Sequence, residues 1–182
     1  MMRSLLNSAR HFWQSEDGAT QVVPFALTVP IFVGVIISGL ELSALTARHT
    51  ALERALDETV RDVRLGTGTL YDHTSLKTSV CERAEILPNC MNTLQLEMVS
   101  LDMRDWTNPP SDVQCVEVTE NGTAVMPVVD FEYGRDNQLM FLRACYKFEP
   151  VAPTSYFSEA IVTDTDGYSA IVSSSAFVQE PL

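Results

Sequence analysis

The residues of this chain best suited to covalent chemistry are four cysteines, Cys81, Cys90, Cys115 and Cys145, all in its C-terminal two thirds. An even number of thiols confined to one acidic segment points to an oxidising compartment and two disulfides. Four cysteines allow three pairings. The favoured one joins Cys81 to Cys90 across a short local loop and Cys115 to Cys145 between two predicted strands. A zinc site is poorly matched, because no CxxC or HxxxH spacing occurs. The three histidines, His11, His49 and His73, are far apart and accompany no nucleophile motif; GxSxG and the phosphate-loop pattern are both missing. Asp164-Thr165-Asp166-Gly167 opens like a calcium loop but lacks the ligand series and the closing Glu, so it reads as a tight turn. Asp102 with Asp105, and Asp130 with Glu132, read as solvated strand or loop residues. The expectation is a non-enzyme with no catalytic residues, no metal and no cofactor.

The elements that carry these residues begin with an unusual N-terminal third. Val22 to Leu40 is nineteen residues without a charge, roughly 28 Å of helix at about 1.5 Å per residue, close to the hydrocarbon thickness of a bilayer. It is apolar all round, unlike a half-buried core helix. Pro24 and Pro30 are tolerated in a membrane helix, usually with a kink. A cleaved secretory signal fits poorly: Glu16 and Asp17 separate Arg3 and Arg10 from the apolar run, and Glu41 intrudes where small-x-small cleavage is expected. Glu41 reads as an interfacial acid marking the outer end of the span. Two Arg precede the span, whereas Arg48, Arg54, Arg61 and Arg64 follow it. A bare count would put the C-terminal side in the cytoplasm; the cysteines put it outside, and they are given the greater weight.

Beyond the span the helix continues. Leu45, Leu52, Leu56, Val60 and Val63 recur at helical spacing and form one apolar face. Arg54–Glu58 and Asp57–Arg61 pair at i, i+4 on another. No Gly or Pro interrupts residues 41–65, and Gly66-Thr67-Gly68 supplies a stop. The spacing predicts one helix from about Phe25 to Arg64. Its stripe has to meet the rest of the chain, a partner helix or both, which makes these five residues a candidate assembly face.

The net charge of −12 lies almost wholly beyond the helix. Residues 1–64 hold six Arg against seven acids, and residues 65–182 hold six bases against seventeen acids. Such an acidic domain argues against nucleic acid and against lying flat on anionic lipid. A short helix is predicted around Ser75–Leu87. Thr93–Met103 reads as a strand whose apolar phase slips between Met98 and Val99, as a bulge would produce. Val113–Val118 and Thr123–Tyr133 flank Asn121-Gly122, a hairpin signal. Asn137–Phe148 alternates cleanly, with Met140, Leu142, Ala144, Tyr146 and Phe148 on one side and Arg143, Cys145 and Lys147 on the other. A short helix over Ser155–Ile161 and a strand over Tyr168–Val178 complete the chain. The fold class is α+β: a long transmembrane and amphipathic helix followed by a small antiparallel sheet.

The N-terminal layout resembles a type IV prepilin-like protein, and more closely the TadE/TadG-like minor pseudopilins of the tight-adherence (Flp, type IVc) pilus systems of bacteria. The likeness rests on Glu16-Asp17-Gly18-Ala19-Thr20 leading to Phe25-Ala26-Leu27 and Pro30. Glu41-Leu42, Leu52-Glu53-Arg54-Ala55-Leu56-Asp57, Val60-Arg61-Asp62-Val63-Arg64-Leu65-Gly66-Thr67-Gly68 and the closing Ser175-Ala176-Phe177-Val178-Gln179-Glu180-Pro181 add to it. The resemblance implies a pilin-like α+β fold in three parts: a leader at 1–18, a membrane helix with amphipathic extension at 19–65, and an acidic periplasmic domain at 66–182. It implies cleavage between Gly18 and Ala19 by a prepilin peptidase. The location implied is the bacterial inner membrane, crossed once with the N-terminus cytoplasmic. Implied partners are other pilus or pseudopilin subunits and the inner-membrane assembly platform, in the service of cell adhesion.

Family members commonly carry a Glu soon after the Gly; here the stretch is Val22-Val23-Pro24-Phe25, with no carboxylate before Glu41. In pilin assembly that Glu is held to pair with a neighbouring subunit's N-terminal amine. Its loss points to a cap or assembly factor rather than a repeating fibre subunit. The competing reading is an uncleaved, single-pass anchored binding module in the periplasm.

Overall fold

The computed structural model describes residues 19–65, 71–109, 111–118, 124–162, 164 and 166–181. The expected leader, the Gly66-Thr67-Gly68 stop and Asn121-Gly122 lie outside the described residues. A single helix, α1, runs over Ala19–Arg64, 46 residues, and so begins earlier than the expected Phe25. At about 1.5 Å per residue it is roughly 69 Å long. Pro24 and Pro30 both sit inside it; each removes one backbone N–H, and the ladder continues on either side of them.

The two halves of α1 have opposite environments. Val22, Phe25, Leu27, Ile31, Phe32, Val35 and Leu40 are exposed, whereas Leu52, Ala55, Leu56, Val60 and Val63 are buried. The first half is long and apolar enough to cross a membrane, and none of it is covered by the rest of the chain. The second half is a core helix of the C-terminal domain.

That domain contains helix α2 (His73–Arg83), a single turn α3 (Cys90–Thr93), strand β1 (Leu94–Leu101), a two-residue pair β2 (Glu117–Val118) and β3 (Ala124–Val125), strand β4 (Leu139–Phe148), helix α4 (Tyr156–Ile161) and strand β5 (Ser169–Val178). The main sheet is antiparallel in the order β1-β4-β5. Its inner face presents Leu94, Leu96 and Met98, then Met140, Leu142, Ala144, Tyr146 and Phe148, then Ile171 and Phe177, to the buried stripe of α1 and to Leu76 and Val80 of α2. The strand expected over Asn137–Phe148 forms over Leu139–Phe148 and takes the central place in the sheet.

Helix α1 and β5 run side by side in the same sense. His49 Nε2 lies 3.4 Å from the Val172 carbonyl, and Gln179 Nε2 donates to the Val63 carbonyl at 3.2 Å. Fourteen helical residues rise about 21 Å and seven strand residues about 23 Å, so the two elements stay in step. The start of β5 therefore faces the apolar half of α1, and its end lies at the far end of the domain.

The expected bulge does not occur. Pairing runs without a break from Leu94↔Tyr146 to Leu101↔Leu139. Gln95 and Glu97 on the outer face are also buried, because the chain between β1 and β4 folds back over that face. Apolar residues on both sides of a strand reflect two covered faces here, not a slipped register. The expected hairpin forms, but with two residues in each arm. Part of its return arm pairs elsewhere: the Met98 N–H donates to the Asp130 carbonyl, and the Glu132 N–H to the Met98 carbonyl. Pro127, which has no N–H to offer a ladder, separates the two pairings. Helix α2 starts before the expected Ser75 because Asp72 caps it, accepting from Ser75 N–H at 2.9 Å.

Candidate functional site at the end of the apolar helix

The apolar half of α1 ends at Glu41, which is 1% exposed. Its carboxylate is aimed at the turn that follows β4. The Val151 N–H donates to Oε1 at 3.1 Å and the Ala152 N–H to Oε2 at 2.9 Å. Both oxygens are thus engaged by backbone donors that are not spent on a strand. Two prolines, Pro150 and Pro153, flank this pair of N–H groups and restrict the turn. Ser155 then caps α4, its hydroxyl accepting from the Ser158 N–H. Arg48 reinforces the junction: its guanidinium lies 4.7 Å from the centre of the Phe148 ring, and Nη1 donates to the Glu149 carbonyl at 3.4 Å. Phe148 in turn stacks at 6.1 Å on Tyr146, whose hydroxyl donates to the Pro88 carbonyl at 2.8 Å. Burial, only partly offset by Arg48, pushes that phenol up to about 12.

Glu41 is thus more than an interfacial marker; it ties the end of the apolar helix to the domain. Sequence reasoning placed it at the boundary but missed the clamp, whose partners are backbone amides 110 and 111 residues away. One signal was available. Glu41 precedes Leu45 by four residues and so begins the stripe that continues through Leu52, Leu56, Val60 and Val63.

Compared with known proteins, the chain matches no family model, no curated protein and no solved structure.

The four cysteines pair as favoured: Cys81 with Cys90, tying α2 to α3, and Cys115 with Cys145, tying the outer covering to the central strand. Cys115 sits just before β2 rather than within a strand. The proposed assembly stripe needs correction. Leu52, Leu56, Val60 and Val63 are core residues and Leu45 is half-buried against them, so these side chains meet their own domain and offer a partner nothing. The open side of α1 is a groove of about 910 Å³ lined by Leu42, Ser43, Thr46, Ala47, Thr50 and the neighbouring Ile86, among others. The hydroxyls of Ser43, Thr46 and Thr50 donate to carbonyls one turn back, which leaves small side chains at one end of the groove, while Arg54, Glu58, Arg83 and Glu85 line the other. Of the candidate cleavage junction, Gly18 is outside the described residues and Ala19 is the first residue of α1.

Among the described residues no three His, Cys, Asp or Glu side chains gather as a metal site. Asp164 organises a turn, as expected: Oδ1 accepts from the Asp166 and Tyr168 N–H groups, and Oδ2 accepts from Lys147 Nζ at 2.7 Å. Burial pushes its carboxyl up, but these donors outweigh burial and hold it below the usual range. The outer face of the sheet holds one buried ion pair. Arg143 donates through Nε at 2.9 Å and Nη2 at 2.5 Å to Glu97 Oε2, directly across the β1–β4 ladder.

A second polar cluster lies under the hairpin, around a cavity of about 500 Å³. Lys77 is 4% exposed, and its Nζ meets Met126 Sδ at 3.5 Å. His73 Nε2 and Gln95 Oε1 are buried nearby with no hydrogen-bond partner among the described residues. Burial lowers the Lys77 amine, and burial followed by the Lys77 charge lowers the His73 imidazole. Of the two described histidines, His49 faces Val172 and Glu53 and His73 lies edge-on to Phe131; His11 is outside the described residues.

Proposed function

We propose that this chain is a minor pseudopilin or assembly factor of a tight-adherence pilus. Helix α1 anchors it in the bacterial inner membrane, with the N-terminus in the cytoplasm and the acidic domain in the periplasm. The observation that carries the reading is the single helix with an exposed apolar half and a half buried in an antiparallel sheet. A separate anchor would need no such continuity. The two disulfides favour a compartment outside the cytoplasm.

The carboxylate of Glu41 also bears on the role within a pilus. It is the first carboxylate after Gly18, and it is held by Val151 and Ala152 rather than left for a neighbour's N-terminal amine. That favours a capping or assembly role over a repeating fibre subunit. The groove along Ser43, Ala47 and Thr50 continues the exposed side of the apolar helix, and it would receive the helix of an adjacent subunit.

A segment swap tests the proposal. Replacing residues 19–40 by an unrelated membrane helix should abolish pilus assembly in the producing bacterium while the domain still folds and forms its disulfides. Full assembly after the swap would instead support the uncleaved anchored binding module.

A further inference from the structure

We propose that the turn and helix from Glu149 to Phe157 form a second membrane contact, seating Val151 and Tyr156 in the headgroup layer of the bilayer that α1 crosses. This rests on the membrane-spanning reading of α1. Glu41 directly follows the apolar run, so on that reading it marks the outer hydrocarbon boundary. Its carboxylate holds the Val151 and Ala152 amides within hydrogen-bond distance, which sets this turn at the same depth. Arg48, two turns further along α1, holds the Glu149 carbonyl, so the turn is fixed at both ends. Helix α4 follows immediately and packs against α1.

The side chains this segment turns outward suit an interface. Tyr156 is 91% exposed and Val151 is 61% exposed. Isolated exposed apolar residues are ordinary on a protein surface. These two share one clamped segment at the level where tyrosine is enriched, its ring in the apolar boundary and its hydroxyl in water. Residues 149–162 contain Glu149 and Glu159 and no Lys or Arg, so the contact is apolar and aromatic, without electrostatic attraction to anionic lipid. Such a contact would restrict the tilt of the domain over the membrane, which α1 alone does not do.

Depth-dependent quenching tests the proposal on the full chain reconstituted in phosphatidylcholine vesicles. A fluorophore is attached at Val151→Cys, Tyr156→Cys, Met103→Cys or Ile31→Cys, one per variant; the native cysteines are paired and do not label. Met103 is exposed beyond the end of β1, on the far side of the domain from Glu41, and Ile31 is exposed in the middle of the apolar run. A nitroxide lipid labelled near the headgroup should quench positions 151 and 156 several-fold more than position 103, and one labelled at the bilayer centre should quench position 31 most. Quenching at 31 with positions 151 and 156 no more quenched than 103 would overturn the contact and leave the span intact. No quenching at 31 would overturn the span and the contact together.

Discussion

The Ala152 N–H donates to Glu41 Oε2 at 2.9 Å, joining the end of the apolar helix to a turn 111 residues later. With the Val151 N–H on the other oxygen, one side chain ties the end of the apolar helix to the turn after β4. Hydrogen bonds to a charged group contribute about 1.5–3 kcal/mol each in favourable settings. Glu41→Ala should therefore lower the unfolding free energy by about 2–4 kcal/mol and leave two amides unpaired. Glu41→Gln, which keeps one good acceptor, should lose roughly half of that. Denaturant midpoints in detergent, with proteolysis of the 149–155 turn as a local readout, check both; unchanged midpoints would contradict the clamp.

Glu97 and Arg143 form the ion pair on the covered outer face, each less than a tenth exposed. Removing one partner strands the other, so Glu97→Ala should destabilise by about 3–5 kcal/mol. Replacing the pair together by Leu and Met should cost far less, because desolvation of both charges disappears with them. A double-mutant cycle on thermal unfolding measures the difference.

His73 and Lys77 predict a pH dependence with a definite sign. Burial lowers both groups in the folded chain, with the Lys77 charge a further cause for His73. The unfolded chain then binds more protons than the folded one below the ordinary histidine value of 6.5, so stability rises with pH through that range and falls on acidification. Asp72 faces His73 from the start of α2, and its carboxyl is lowered chiefly by its bond to Ser75; it adds a loss of stability only below 3.8, a separate window. Melting temperature should therefore climb between about pH 5 and pH 7, and His73→Phe should flatten that climb. Lys77→Met, which removes a buried ammonium with no carboxylate partner among the described residues, should stabilise the domain at neutral pH.

The two disulfides should differ in their effect. Cys115–Cys145 spans 30 residues of sequence and Cys81–Cys90 spans 9. The longer loop restricts the unfolded chain more, by about 1 kcal/mol in the chain-entropy account. Paired Cys→Ala substitutions, compared by denaturant midpoint, should rank the 115–145 bond as the larger contributor.

Much of this architecture was legible in the residues themselves. The charge-free run, the stripe from Leu45 to Val63 and the alternation over Asn137–Phe148 are strong periodic signals, and each corresponds to the element it predicted. The disulfide pairing expected from one short loop and two predicted strands occurs, although only Cys145 lies in a strand. The failures have separate causes, and for β1 it is that the alternation rule assumes one face of a strand is wet. On the outer face of β1, Gln95, Glu97 and Leu101 are buried and Val99 is half-buried, so apolar residues on both faces resembled a bulge. The stripe was offered to a partner because sequence shows that a face must be buried, not which surface buries it. Glu41 was invisible as a clamp because its partners are backbone amides, which every residue except proline carries.

The most direct test of the proposed role is the intact mass of the chain purified from membranes of cells with and without the prepilin peptidase. A chain beginning at Ala19 when the peptidase is present, and beginning at Met1 when it is absent, is the predicted result. A Met1 start in both would contradict processing and, with it, assignment to a pilus assembly system.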